Sequence, residues 1–146
     1  MTQFIDGLDL NIGKLILSPT RTYMPVMNKV LRELRSKIHG IIHCSGGAQT
    51  KILHYVDDVH VIKDNLFETP PLFELIQEES GTDWKEMYQV FNMGHRLEIY
   101  LPEQYAQTII DISKSFNIDA QIIGRVEQSD TKKLTIDTDK DTYIYN

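Results

Sequence analysis

The sequence has a single cysteine, Cys44, among its 146 residues. One cysteine forms no disulfide within the chain, which excludes a disulfide-stapled secreted scaffold and favours a reducing compartment, the cytoplasm. One cysteine and five scattered histidines also provide none of the paired spacings of a structural zinc site, so we assign no metal ligands.

Long apolar runs and excess positive charge are also missing. No stretch approaches the roughly 20 apolar residues of a membrane span, and no basic segment leads into an apolar one at Met1. Lysine and arginine number 15 against 21 acidic residues, and the resulting charge of −6 repels the phosphate backbone of nucleic acids. We therefore expect neither a membrane nor a nucleic acid as a partner.

The composition is that of an ordinary globular domain. Hydrophobic residues make up 41% and charged residues 25%, close to the average for folded proteins. Residues 1–13 are broken by glycine and asparagine and show little periodicity, which is typical of a connecting segment. We predict a linker over 1–13 and one domain over 14–146.

The apolar periodicity predicts a mixture of helices and strands. Helices are predicted at 24–38, 48–55, 69–76, 83–91 and 102–116, and strands at 14–17, 41–44, 59–62, 97–101, 120–126, 134–136 and 143–145. These elements do not alternate as regular βαβ units. The order favours a mixed, largely antiparallel sheet covered by helices.

The clearest candidate site is the turn Ser45-Gly46-Gly47, between a predicted strand and a predicted helix. Glycines let a backbone approach an anion closely, and the helix that follows points N–H groups towards it, so phosphate is the natural ligand. Two adjacent glycines also occur in simple strand-to-helix connections. Neither G-x-x-x-x-G-K-[ST] nor G-x-G-x-x-G is present.

Two further segments offer polar groups to a ligand. In Asn92-Met93-Gly94, glycine permits a left-handed turn, and the asparagine either caps the preceding helix or offers its amide to a ligand. Arg21 follows Thr20 and either binds phosphate or forms a surface ion pair.

Two other patterns have simpler explanations. His43 and Cys44 are successive strand residues and point to opposite faces, so they form no nucleophile–base pair, and we predict a buried, inert Cys44. The acidic residues of 137–141 imitate the start of a calcium loop, but Thr142 stands where that loop requires glycine. We predict a solvated turn.

Five motifs in order resemble the C-terminal domain of aminoimidazole ribonucleotide synthetase, or phosphoribosylformylglycinamidine cyclo-ligase. The resemblance extends from about residue 8 to residue 127, and its most specific motif is E-M-Y-Q-V-F-N-M-G. The matching segments are L-S-P-T-R-T-Y at 17–23, G-I-I-H-C-S-G-G at 40–47, P-L-F-E-L-I-Q at 71–77, the E-M-Y segment at 86–94 and I-G-R-V at 123–126.

The resemblance implies an α+β fold in three layers, α/β/α, and a role in ATP-dependent ring closure of formylglycinamidine ribonucleotide in purine biosynthesis. It implies that ATP and Mg²⁺ are held mostly by an N-terminal domain of the same enzyme, and that the full-length enzyme is a homodimer. No residue is assigned as catalytic. The implied substrate and phosphate-binding residues are Thr20, Arg21, His43, Ser45, Gly46, Gly47, Asn92, Met93 and Gly94.

The sequence departs from the family pattern in two places. Ala48 stands where the family usually has a third glycine and is followed here by Gln49-Thr50-Lys51, in which Lys51 offers a charge that the common version lacks. His95-Arg96 replace an apolar residue and glycine. These departures leave two alternatives open. One is a non-catalytic phosphometabolite-binding module of the same fold, and the other is a related ATP-dependent enzyme such as selenophosphate synthetase.

Overall fold

The computed structural model describes residues 11–19 and 21–146, which form five α-helices and six strands. The helices are α1 (Ile12–Ile16), α2 (Met24–Leu34), α3 (Pro71–Ser80), α4 (Trp84–Val90) and α5 (Ala106–Lys114). The strands are β1 (Gly40–His43), β2 (Val59–Lys63), β3 (Leu97–Tyr100), β4 (Gly124–Gln128), β5 (Lys133–Asp137) and β6 (Thr142–Tyr145). Short 3₁₀ helices cover Arg35–Lys37, Ala48–His54 and Glu103–Tyr105.

The strands form two sheets. Four of them lie in the order β4-β2-β5-β6, with β2 and β5 parallel and the other neighbours antiparallel. The antiparallel pair β1–β3 forms a separate ribbon in which Ile41 lies opposite Ile99. The predicted mixed, largely antiparallel arrangement is confirmed.

Two hydrophobic clusters lie on opposite faces of this ribbon. Ile42 of β1 belongs to the main cluster, which includes Leu134 and Met87, whereas Ile99 of β3 packs against a second cluster. That second cluster joins α2 and α5 through Val26, Val30, Leu34, Ile109 and Ile112. Both faces of the ribbon are therefore covered.

Several helix starts follow from local sequence. Pro25 and Pro71 occupy the first turns of α2 and α3, where the missing N–H of proline costs no helical hydrogen bond. Asp83 caps α4 by accepting the N–H of Lys85 at 2.7 Å. The helix predicted at 69–76 begins only at Pro71, after Pro70 at the N-cap position.

Other local predictions were wrong. The segment 14–17 belongs to α1 and a following turn, because Asn11 accepts the N–H of Lys14 at 2.9 Å and starts a helix. The predicted strand 120–126 starts only at Gly124. Helix α1 begins at Ile12, inside the predicted linker, and the boundary at residue 13 stays a prediction. No described helix has the length and hydropathy needed to cross a membrane.

Candidate functional site

The glycine turn leaves two backbone donors for a ligand. Ser45 donates its N–H to His43 at 2.8 Å, and Ala48 donates to Ser45 at 2.7 Å. The N–H groups of Gly46 and Gly47 have no acceptor within 11–19 and 21–146. Gly47 has a φ of +85° and Ala48 one of +43°, so the chain reverses here in left-handed conformations.

The helix after the turn contributes less than predicted. It is a seven-residue 3₁₀ helix, Ala48–His54, and the N–H of Ala48 is already used inside the turn. Thr50 likewise donates its N–H to the carbonyl of Gly47 at 3.0 Å. The candidate anion contacts are therefore the two glycine N–H groups rather than the helix end.

Lys51 brings a positive charge to the turn. Its ammonium donates to the carbonyl of His43 at 3.1 Å and to the hydroxyl of Ser45 at 2.9 Å. An ammonium has three protons, so one donor remains for a ligand. The sequence offered Lys51 as an extra charge at this turn, and only the shape of the turn determines that its ammonium reaches Ser45.

An open groove of about 720 Å³ runs beside the turn. One wall is formed by Gly46, Gly47, Thr50 and His54, and the other by the start and exposed face of α4. The α4 wall carries both signs of charge, through Asp83, Lys85 and Glu86. The groove is wide enough for a small phosphorylated molecule.

The second predicted segment, Asn92-Met93-Gly94, is a tight turn. Asn92 accepts the N–H of Gly94 on its side-chain oxygen at 2.9 Å and the N–H of His95 on its carbonyl at 2.9 Å. Met93 has a φ of +50° and is 1% exposed. The side-chain oxygen of Asn92 thus caps this turn rather than helix α4, and the Met93 side chain belongs to the core.

A buried polar network joins the two turns. Gln49 donates to the carbonyl of Asn92 at 2.7 Å, and Lys63 donates to Gln49 and to Glu98. Sequence analysis missed all three residues. A carboxylate in a strand gives no local sign of burial, and the placement of Lys63 beside Glu98 explains why this carboxylate is buried.

Burial shifts the pKa values of groups around this network. Burial, and next the charge of Glu98, raise the pKa of the Cys44 thiol to about 12, so Cys44 is a protonated, unreactive thiol as predicted. Burial lowers the pKa of His95 to about 4. Its Nε2 accepts the N–H of Phe67 at 3.0 Å, which requires a neutral ring.

Comparison with known proteins gives the family. The family model described as "AIR synthase related protein, C-terminal domain" matches residues 6–137 of the chain. The chain belongs to this family.

Relatives of the AIR synthase family are about one third identical to the chain over the matched residues. The phosphoribosylformylglycinamidine cyclo-ligase of Methanopyrus kandleri is 35% identical over 117 residues, covering 80% of the chain and 33% of that protein. The enzyme of the same name from Methanocaldococcus jannaschii is 34% identical over 118 residues, covering 81% and 34%. The chain thus spans about one third of the length of these relatives.

Two solved structures show the same fold. The HypE–HypF complex matches with a TM-score of 0.62 and 18% identity, covering 92% of this chain and 47% of that one. The hydrogenase maturation protein HypE of E. coli matches with a TM-score of 0.57 and 18% identity, covering 77% and 35%.

The structure shows the surroundings of the two departures from the AIR synthase pattern. Ala48 takes the left-handed backbone that a glycine adopts more easily. His95 is buried against Phe67, with ring centroids 5.1 Å apart. Arg96 has an exposed side chain, and its carbonyl accepts the N–H of Cys44 at 2.9 Å.

The remaining predicted AIR synthase residues are spread out. Thr20 lies outside the described residues. Arg21 donates to the carbonyl of Asn117, after α5, and none of its described hydrogen bonds reaches either turn. His43 has an exposed side chain next to the glycine turn. The buried polar network thus links the segments 43–47 and 92–94, whereas Arg21 makes a separate contact.

The acidic segment 137–141 forms the β5–β6 turn, as predicted. Asp137 accepts the hydroxyl of Thr142 at 2.6 Å, and Thr138 donates its N–H to Asp141 at 3.1 Å. Across the part of the chain that the structure describes, no three acidic, histidine or cysteine side chains gather as metal ligands.

Proposed function

We propose that the chain is the C-terminal part of a phosphoribosylformylglycinamidine cyclo-ligase, which closes the imidazole ring of formylglycinamidine ribonucleotide with ATP. The family match over 6–137 is the observation that carries this proposal. The free N–H groups of Gly46 and Gly47, with Lys51 beside them, support a phosphate contact in this part of the enzyme.

The reaction has two balanced steps. ATP supplies a phosphoryl group to the formamide oxygen, so that an O–P bond forms as the bond to ADP breaks. The amidine nitrogen then attacks the activated carbon, so that a C–N bond forms, phosphate leaves with the C–O bond electrons, and the attacking nitrogen releases its proton to solvent. The residues described here serve to position the nucleotide, which lowers the barrier by holding the reacting atoms close.

We propose that Gly46 and Gly47 donate N–H groups to a phosphate of the nucleotide, and that Lys51 supplies the positive charge. The main ATP and Mg²⁺ contacts and the homodimer contacts are proposed to lie in the N-terminal domain of the same enzyme. The described side chains do not gather as metal ligands, so none is proposed to hold Mg²⁺. The cytoplasm is the proposed location.

The test is ring closure by the full-length enzyme, with Lys51→Met as the variant and Lys29→Met, on the exposed face of α2, as the control. A charge-assisted hydrogen bond contributes about 1.5–3 kcal/mol, so Lys51→Met should raise the KM for the nucleotide by roughly tenfold or more. Lys29→Met should leave the KM unchanged. Equal KM values for the two variants would show that Lys51 does not contribute to binding the nucleotide.

A calorimetric titration of binding, together with an assay of turnover, separates the alternative functions. Binding of formylglycinamidine ribonucleotide without any ring closure would favour a non-catalytic phosphometabolite-binding module. Turnover of selenide and ATP, without ring closure, would favour a selenophosphate synthetase. Absence of binding to the nucleotide would contradict the proposed substrate.

A further inference from the structure

Gln49 lies in the 3₁₀ helix that follows the glycine turn and is 0% exposed. Its side-chain N–H group donates to the carbonyl of Asn92 at 2.7 Å, across 43 residues of sequence. The same carbonyl also accepts the N–H of His95. One buried side chain therefore connects the glycine turn to the Asn92-Met93-Gly94 turn.

Lys63 is the last residue of β2, contacts Gln49 and is 1% exposed. Its ammonium donates to the main-chain and side-chain oxygens of Gln49 at 2.8 Å each, and to Glu98 at 2.5 Å. All three of its donors are thus used. The second oxygen of Glu98 accepts the hydroxyl of Tyr100 at 2.7 Å. Because β2 and β3 belong to different sheets, the network also connects the sheets.

A gain in stability does not by itself explain why the chain buries such a polar network. The cost of removing two charges from water offsets most of their attraction, and apolar residues of similar volume often stabilise a core as well. A fully satisfied buried network does favour one arrangement, because any other would leave a buried donor or acceptor without a partner. Every buried side-chain nitrogen and oxygen in the described part of the chain has a partner.

We propose that Gln49 is a positioning residue that holds the Asn92-Met93-Gly94 turn in place relative to the glycine turn, with Lys63 and Glu98 as its support. Its value for substrate binding rests on the proposed function. The mechanical link between the two turns can be measured without any ligand.

The first measurement is amide hydrogen exchange in the 146-residue chain, comparing Gln49→Met with Ser113→Ala. Methionine keeps the volume of glutamine but cannot donate to Asn92. Ser113→Ala removes a buried side-chain hydrogen bond, to Ile118 at 2.9 Å, outside the network. Gln49→Met should speed the exchange of Gly94 and His95 roughly tenfold relative to β5 amides. Ser113→Ala should leave that ratio unchanged.

A general loss of stability would raise exchange at Gly94, His95 and β5 together. That result, or unchanged exchange at Gly94 and His95, would overturn the proposed link.

The second measurement is ring closure by the full-length enzyme. Gln49→Met should raise the KM for the nucleotide by roughly tenfold, with a smaller change in kcat, whereas Ser113→Ala should change neither. Unchanged kinetics in Gln49→Met would overturn the positioning role. If the unsubstituted enzyme does not close the ring, the proposed function fails, while the exchange measurement still decides the link.

A third measurement needs no substitution and serves if Gln49→Met does not fold. The side-chain amide protons of Gln49 should exchange with solvent at least about a hundredfold more slowly than those of Gln107, whose hydrogen bond to Asp111 is exposed. Equal exchange rates would show that Gln49 does not hold Asn92 in solution.

Discussion

Cys44 lies one residue before the glycine turn, yet its surroundings suppress its chemistry. Burial raises its thiol pKa to about 12, and the nearby Glu98 carboxylate adds to this effect. The thiolate is the reactive form, so almost none is present near neutral pH. Position next to the glycine turn does not by itself make a cysteine reactive.

We predict slow labelling of Cys44 in the folded protein. At pH 8, a disulfide reagent such as dithiobisnitrobenzoate should react at least about a hundredfold more slowly than in guanidinium, because unfolding exposes the thiol and restores its ordinary pKa. The release of the coloured thiolate measures both rates. Comparable rates would show that the thiol is accessible in the fold.

His95 makes the stability of the protein depend on pH. Its pKa falls from 6.5 to about 4 on folding, chiefly through burial, while Glu98 opposes the shift and Lys63 adds to it. Between these values the unfolded chain binds a proton that the folded chain excludes. The free energy of unfolding should therefore decrease as the pH falls from 6.5 to 4.

The predicted decrease is about 3 kcal/mol, measured by denaturant unfolding at several pH values. His95→Gln provides the control, since glutamine can accept the N–H of Phe67 but does not titrate. The difference between the two proteins isolates the contribution of His95. A pH profile that is the same in both would contradict a neutral, buried His95.

At the scale of elements, Gly124 explains why β4 pairs where it does. Gly124 lies opposite Lys63 in the β2–β4 pair, and a Cβ atom there would stand 1.9 Å from the carbonyl oxygen of Ile62. Backbone atoms of a paired strand cannot move away without breaking the ladder. Glycine at this position therefore permits β2 and β4 to approach closely.

Gly124→Ala should lower the free energy of unfolding by at least about 2 kcal/mol, because the added methyl separates β4 from β2. Gly46→Ala is the matched control, since no other described residue beyond its two chain neighbours has an atom within 4 Å of a Cβ atom there. Its change should stay under about 1 kcal/mol. Chemical denaturation measures both. Similar losses in the two variants would contradict the close approach.

The short elements show how far local patterns determine secondary structure. Helix α4 begins after Asp83 as predicted, because a cap acts through adjacent residues. The segment 14–17 is predicted as a strand but lies in α1 and its turn, since the cap at Asn11 and the lack of a strand partner in the described structure favour a helix. Strand formation depends on a partner that local sequence does not specify.

At the scale of the whole molecule, the two hydrophobic clusters on either side of the β1–β3 ribbon carry the fold. Leu134 lies at the centre of the main cluster and is 0% exposed, while Ile144 on the adjacent strand β6 is 43% exposed. The two residues are similar in size and differ in burial. They therefore form a matched pair for measuring the main core.

Leu134→Ala should lower the free energy of unfolding by about 2–5 kcal/mol, because it removes buried methyl groups and leaves a cavity. Ile144→Ala should cost under about 1 kcal/mol. Thermal or urea unfolding compares the variants. A larger loss for Ile144→Ala would mean that its outer sheet face is covered in solution.

The sequence by itself determined the features that depend on neighbouring residues. These features include the helix starts at proline and aspartate and the two turns around Gly47 and Gly94, each of which depends on a few adjacent positions. The order of the family motifs is likewise read directly from the sequence. Tertiary structure alone decided that Glu98 is buried, since its partner Lys63 lies 35 residues earlier. The sequence also offered Lys51 as a charge beside Ser45-Gly46-Gly47, and folding placed its ammonium 2.9 Å from the Ser45 hydroxyl. The connection of that turn to Asn92 through Gln49 was decided by tertiary structure, because a buried donor requires a partner that only folding brings near.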